Sequence, residues 1–463
     1  MFINNMDKKL WLRAVMMGIV LVIIVYSIIR ALNELNTDGP LRDLVGQTIE
    51  ITGTIKGDPD ISGDSSSARL GDLYYQNEKI SGSIFLYGKF EPEPERGDHV
   101  TVSGKLSKGF GTFVGAIYRP KIVSLMKPEP RSLSLEVRKL FARNVHDTMG
   151  GREAKLGLAY LLGMRNELDD ETLDMLSLIG LTHIVVASGT HLGIIVGFVR
   201  KRFGKVSRFA GLLFSVLLVI IFGEIVGWTA SITRAGIVSV MSVFGRYYGR
   251  RLGAGRVILI AMAITLAMNP MYIVDIGWLL SFASFAGIMI LEPMLVEFFY
   301  GRKNPRNKPN EHPGVIAELV LASISATLMC MPILLYYFGS ISIISVVANI
   351  LILPTIPLAM GLTVLVGLVG FLPTFYLFDW VRFLVTKITT LLLDYHLFVV
   401  EFFAKQTNMI IYIGKNNVFV FLLYIPILLP FIIGAIGRMK KRHEAKLRVY
   451  ENPEKYLPFT TST

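Results

Sequence analysis

The sequence predicts a polytopic α-helical membrane protein with a small extracytoplasmic all-β, OB-like domain inserted after the first transmembrane helix. Three observations lead there. Of 463 residues, 52% are hydrophobic, and the mean hydropathy of +0.53 is too high for a water-soluble domain of this size. Apolar runs close to the roughly 20 residues that cross a bilayer recur along the chain. Between about residues 36 and 130 that pattern gives way to short alternating runs separated by Gly, Asp, Pro and Ser, the signature of strands and turns.

The first apolar run, Trp11 to Ile29, follows Lys8 and Lys9. It is longer than a signal-peptide core and lacks a small-residue cleavage site, so residues 1–35 read as an uncleaved first helix. In 36–130 the runs Ile49 to Ile55, Ser83 to Tyr87, Val100 to Leu106 and Phe113 to Tyr118 suggest about five strands, which suits an OB-like barrel, although periodicity equally permits another small barrel. Residues 131–437 form a multi-helix region. It opens with an amphipathic piece from Leu133 to His146, a Gly150-Gly151 break, and the stretch Leu156 to Met164, which is too short to span. Spans are expected near 175–199, 209–228, 229–245, 254–268, 274–299, 314–338, 341–372 as a broken pair divided by Pro354 and Pro357, and 416–436. Phe375 to Phe403, with Asp379, Arg382, Lys387, Asp394, His396 and Glu401, reads instead as an interfacial helix. Residues 438–463 are a basic tail.

The net charge of +12 is concentrated between apolar runs: Arg200 to Arg208, Arg246 to Arg256, Arg302 to Lys308, and Arg438 to Arg448. The positive-inside rule accounts for these clusters and places both termini in the cytoplasm, provided that 339–415 crosses an even number of times. Receiving an anionic substrate is a second role open to them. The β region itself is not basic, with eleven Lys and Arg against thirteen Asp and Glu in residues 36–130. Any nucleic-acid surface there is local. Lys105, Lys108, Phe110, Phe113, Tyr118, Arg119 and Lys121 supply the basic and aromatic mixture that tracks single strands; core aromatics with solvated lysines are the alternative. The single cysteine, Cys330, excludes an intramolecular disulfide and a cysteine metal cluster, and neither metal nor cofactor is expected.

Four stretches carry the functional reading. In Leu181 to Ile195, His183, Ala187 and His191 are spaced i, i+4 and i+8, so a continuous helix sets both imidazoles on one face with Ser188 beside His191. Ionisable groups at such depth are costly and face a cavity or a partner; Gly189 and Gly193 allow close backbone approach. Channel lining, bundle packing, a Ser-His nucleophile and a metal site all fit that pattern. The second stretch holds Glu224, Trp228 and Ser231-Ile232-Thr233-Arg234-Ala235, where Glu224 is placed to pair with Arg234 across a hairpin. The third, Asn269 to Phe282, ends one helix at Asn269-Pro270, caps the next with Asp275, sets Trp278 at the interface, and includes Ser281. The fourth runs from Pro332 through Ser345, Asn349 and Pro354.

With its Ala-Ser-Gly-x-His, Ser-x-x-Arg-Ala, Asp-x-Gly-aromatic-x-Leu-Ser-Phe and Pro-x-Leu-x-Tyr-x-Phe-Gly elements in order, the chain resembles the competence-protein (ComEC) family of multi-pass proteins. The resemblance implies a channel carrying single-stranded DNA inward, an extracytoplasmic OB-like domain after the first helix, and partners at both faces: a DNA receptor outside and a helicase or ATPase motor inside. The chain has neither the Gly-x-x-x-x-Gly-Lys phosphate loop nor the His-x-His-x-Asp-His motif of the metallo-β-lactamase-like domain that fuller family members append. Conduction rather than catalysis is therefore expected. A membrane hydrolase built on Ser188 and His191, and a structural platform for a surface assembly, are the rival readings.

Overall fold

In the computed structural model of the chain, the described residues are 2–36, 41, 43–62, 65–129, 132–185, 189–204, 207–249, 253–300, 314–372, 376–406, 410–415, 417–423 and 426. Helix α1 (Phe2–Asn36) contains Val15–Asn33, long and apolar enough to cross a bilayer. Val22, Tyr26 and Ile29 point away from the protein. A helix both apolar and exposed is at home in hydrocarbon rather than water.

Eight strands follow: β1 (Thr48–Ile55), β2 (Asp60–Ser62), β3 (Ser65–Tyr75), β4 (Glu78–Ile80), β5 (Ile84–Gly88), β6 (His99–Lys108), β7 (Gly115–Tyr118) and β8 (Lys121–Met126). Five of them close a ring in the order β1-β3-β5-β7-β6, with β6 returning to β1 from Thr48↔Lys105 to Thr54↔His99. The β5–β7 pair is parallel and the rest of the ring antiparallel, the closure of an OB barrel. β2 and β4 extend β3, and β8 extends β6, which is why more strands form than alternation predicts. Period-2 alternation turns Ile49, Ile51, Leu70, Ile84, Leu86, Val100, Val102, Leu106 and Ile117 into one buried core.

The helices are α2 (Leu133–Thr148), α3 (Gly151–Leu162), α4 (Asp170–Leu178), α5 (Thr182–Val185), α6 (Gly189–Phe203), α7 (Arg208–Val226), α8 (Ala230–Tyr247), α9 (Ala254–Met268), α10 (Ile276–Ala286), α11 (Glu292–Tyr300), α12 (Val315–Phe338), α13 (Ile344–Ile352), α14 (Ile356–Val369) and α15 (Tyr376–Ala404). They fall into two compact units: Met1–Phe282 with Ser342–Ile410, which includes the barrel, and Ala283–Ile341 with Ile411–Thr463. In the first, α3 is buried almost throughout, among Ile344, Ala348, Ala359, Leu393 and Val400. Small residues permit that density, since a Cβ on Gly157 would stand 2.7 Å from the Thr363 hydroxyl and one on Gly367 2.3 Å from the Phe141 ring. In the second unit, a π-turn at Gly287–Leu291 brings Gly287 against Ser325 of α12.

Among the described residues, five helices are long and apolar enough to cross a bilayer, and α13 with α14, bent by 49°, adds a sixth if counted as one span. Four expectations change. The stretches expected to span at 229–245 and 254–268 form α8 and α9, which are not among these helices; α9, of 15 residues, is a shorter apolar helix. The stretch 175–199 is not one helix: Gly180, at φ +73°, follows the end of α4, and helix resumes at Thr182. Phe375 to Phe403 belongs largely to α15, a continuous 29-residue helix whose stretch Asp379–Ala404 is long and apolar enough to span. Its charges do not break it because Asp379 and Arg382 bond each other at one end while Glu401 bonds Arg152 near the other. The segment expected at 416–436 and the basic residues Lys205, Arg250, Arg251, Arg302, Lys303, Arg306 and Lys308, with those of the tail, lie mainly or wholly outside the described residues.

Candidate functional site

Three of the four stretches meet at Arg234. Its guanidinium is buried in α8, and Nε donates to Ser281 Oγ of α10 at 2.7 Å. Ser281 in turn shares a hydrogen bond with Ser231 Oγ at 3.1 Å, and the Phe282 ring lies 5.7 Å from the guanidinium carbon, a favourable placement for a desolvated cation. The first residue of α6, Gly189, closes the cluster: a Cβ there would stand 2.7 Å from Nη2 of Arg234 and 3.0 Å from the Cβ of Ala235. Glycine is thus required by close approach rather than by chain flexibility.

His183 is exposed, with Nδ1 3.1 Å from the Gly180 carbonyl, while His191 is buried in α6. Residues 186–188, on which the expected i, i+8 spacing of the two imidazoles depends, lie outside the described residues. Ser188 lies outside the described residues.

The expected Glu224–Arg234 pair is not formed. Glu224 Oε1 instead accepts from the Trp228 indole N–H at 2.9 Å. The Trp228 ring covers Gly223, where a Cβ would stand 2.4 Å from it, and this stacking holds Glu224 on the turn. Arg96 of the barrel then donates to the Glu224 carbonyl at 3.1 Å and to the Ile225 carbonyl at 3.4 Å, satisfying carbonyls that the end of α7 leaves open. Burial holds the Arg96 guanidinium below its ordinary range, an effect that Asp58 opposes.

At the α9–α10 corner, α9 ends before Asn269-Pro270 as expected, and Asp275 Oδ1 accepts the Trp278 amide at 2.7 Å, the cap its position predicts; Asn269 Oδ1 also accepts the Met271 amide at 3.0 Å. Trp278 is not an interface anchor. It is fully buried, donates from Nε1 to Thr265 Oγ1 at 3.1 Å, and packs on Phe282 with ring centroids 4.5 Å apart. Apolar area outweighed the indole's interfacial preference once Thr265 could take its proton. Asn349 sits apart on α13, buried, with Oδ1 unpartnered among the described residues. Nearby in sequence, Ser345 packs against Gly180.

On the barrel, Lys105 and Lys108 of β6 are exposed, as are Phe110, Tyr118 and Arg119, while Phe113 is half-buried. Alternation missed the centre of that surface. Phe85 of β5 contacts Phe110 and Phe113, each at 5.3 Å between centroids, and Arg69 of β3 lies 5.2 Å over Phe113. Tyr87 bridges Phe85 at 6.3 Å and Tyr118 at 6.2 Å. The sequence signal available was the outward parity of Phe85 and Tyr87 within Ser83 to Tyr87. A second omission is Arg138, buried in α2, which grips Asp58 of the barrel through two bonds of 2.9 and 2.6 Å. Among the described residues no group of three or more His, Cys, Asp or Glu could hold a metal ion.

A closed barrel, five helices long and apolar enough to cross a membrane among the described residues, and a guanidinium buried against α6 and α10 fit one class, the multi-pass membrane proteins with a polar centre. The family profile described as Competence protein matches residues 160–437, more than half of the chain, and the chain belongs to that family. It is 28% identical over 200 residues, 42% of its own length, to ComE operon protein 3 of Bacillus subtilis (strain 168). That match covers 24% of the relative. No solved structure matches.

Proposed function

We propose that this protein is an inner-membrane channel that carries single-stranded DNA into the cytoplasm during natural transformation, acting by conduction rather than catalysis. The observation that carries the reading is the convergence of Gly189, Arg234 and Ser281, from three separate competence-type motifs, on one buried guanidinium. An ionisable group buried in a bundle of apolar helices marks a substrate or ion path in many membrane proteins, and phosphate is an anion that a guanidinium recognises. Family membership supports the same conclusion.

Orientation follows from charge and contact. The basic cluster Arg200 to Arg208 precedes α7, and Arg96 of the barrel grips the opposite end of that helix. Positive-inside placement of the cluster sets the barrel outside the cytoplasm, where it receives the strand from an extracytoplasmic DNA-receptor protein. A cytoplasmic helicase or ATPase supplies the work. In a deletion strain complemented with the Arg234→Ala protein, fluorescent DNA should still collect at the cell surface while protected cytoplasmic DNA falls at least tenfold at equal protein abundance. Import at the wild-type rate would reduce the Arg234 cluster to a packing element.

A further inference from the structure

The outward aromatic face of the barrel is not needed to close its core. Leu86 and Ile117 are partners across β5–β7 and point inward, so by alternation Phe85, Tyr87 and Tyr118 point outward. On β3, Arg69 is opposite Phe85 and shares that face. On β6, Lys105 lies two residues from the Ser107↔Ala116 pair and so shares the face of Tyr118. Tyr87, Phe110 and Tyr118 are 44%, 48% and 51% exposed, and the rings run as one contacting series from Phe110 and Phe113 through Phe85 and Tyr87 to Tyr118.

We infer that this series is a stacking platform for unpaired nucleobases, which admits single strands and rejects duplex by the faces of the bases rather than by the charge of the backbone. The inference rests on the DNA-import reading and adds to it the element that selects the strand. Water-exposed aromatic surface this continuous marks an interaction site. Its place fits, because the second and third strands of the closed ring, here β3 and β5, with the loop before the fifth, here residues 109–114, form the ligand face of OB barrels. The same face in other OB barrels takes sugars, but here the cations choose an anionic polymer. Arg69 is held over Phe113 by bonds to Ser83 Oγ at 3.1 Å and Thr112 Oγ1 at 3.5 Å, and Lys105 and Lys108 flank the rings. Phosphate attraction alone is too weak an account, since the domain carries more acids than bases. Stacking needs no net charge and is indifferent to base identity. A duplex offers no such faces along its length, because its bases are stacked on one another.

The test uses the full chain in lipid nanodiscs and three fluorescent probes of about 20 nucleotides, longer than the footprint of one OB domain: oligo-dT, an abasic strand with the same backbone, and a blunt duplex. Oligo-dT should bind at least tenfold more tightly than either of the others. In the Tyr87→Leu/Tyr118→Leu protein, oligo-dT affinity should fall about tenfold or more, as loss of stacked bases predicts, with an unchanged dependence on salt. Lys105→Gln should do the reverse, flattening the salt dependence with a smaller loss. Tyr87→Trp, which keeps a ring, should retain binding and controls for folding. Equal affinity for abasic and oligo-dT probes, or no effect of the double leucine substitution, overturns the platform, as does tighter binding of a cell-wall glycan fragment than of oligo-dT. Wild-type protein that imports DNA yet shows no preference for bases leaves the import reading standing and removes the platform. Preference for bases in a protein whose deletion leaves import unchanged does the opposite.

Discussion

A buried guanidinium is stable only while its N–H groups are matched, and at Arg234 the Ser281 hydroxyl matches Nε. Ser281 accepts from Nε at 2.7 Å and also meets Ser231, so Ser281→Ala strips a charged donor of a partner, a change costing about 1–3 kcal/mol. The expected outcome is a lower melting temperature in detergent and reduced DNA import, with Ser281→Thr close to wild type. A wild-type melting curve for Ser281→Ala would contradict this account of the cluster. Asp169, outside the spanning helices, gives a pH-dependent case. Burial pushes its carboxyl up, but the Thr172 hydroxyl and amide, at 2.8 and 3.0 Å, and the Arg152 guanidinium outweigh that and hold it below the usual value. A folded pKa below the unfolded one, about 3.9, means that the stabilisation is complete above the unfolded value and disappears as pH falls through the folded one. Asp169→Ala, which removes the cap of α4, should therefore lower the melting temperature by a constant amount between pH 6 and 8, and the difference should shrink below pH 4.

At the scale of elements, glycines decide which helices can touch. The turn from α7 to α8 works because Trp228 folds back over Gly223 while its indole N–H holds Glu224. Gly223→Ala places a methyl 2.4 Å from that ring and forces a shift typical of overpacking, about 1–3 kcal/mol. The loss should be largely absent when Gly223→Ala is made in a Trp228→Leu protein, a coupling that a double-mutant cycle measures. Additive losses would show that the ring does not impose the constraint. The bend between α13 and α14 has an equally local cause. The Thr355 hydroxyl lies 2.8 Å from the Ile352 carbonyl and 2.7 Å from Nε2 of His396 on α15. The imidazole thereby ties the bend to α15.

For the whole molecule, the decisive quantity is which side of the bilayer each loop occupies. With Cys330 replaced, Glu78→Cys in the barrel should react with an impermeant maleimide in intact cells, and Arg202→Cys only after permeabilisation. The opposite pattern would invert the orientation and detach the barrel from strand capture. The barrel is joined to the helices of its own unit by Arg96 on the end of α7 and by Arg138 on Asp58.

Much of this was legible in the order of residues. Hydropathy marked four of the five helices of spanning length, because burial in hydrocarbon demands long apolar runs wherever the helix stands, but the charges of α15 disguised the fifth; period-2 alternation marked the barrel because it shows which strand face leaves water. Asn269-Pro270 could be read as a helix end and Asp275 as a cap because both act within three residues of themselves. Partners distant in sequence could not be read. Glu224 was assigned to Arg234 although a tryptophan four residues away took its carboxylate, and Trp278 was sent to an interface although Thr265 accepted its proton in the interior. Phe85 and Arg69 looked like ordinary strand residues until the ring of strands put them beside Phe113. Sequence periodicity determined which residues leave water, since that depends on local repeat and composition. Which polar group meets which was decided by tertiary packing, because a hydrogen bond requires two atoms within about 3 Å, a distance set by how remote segments fold together.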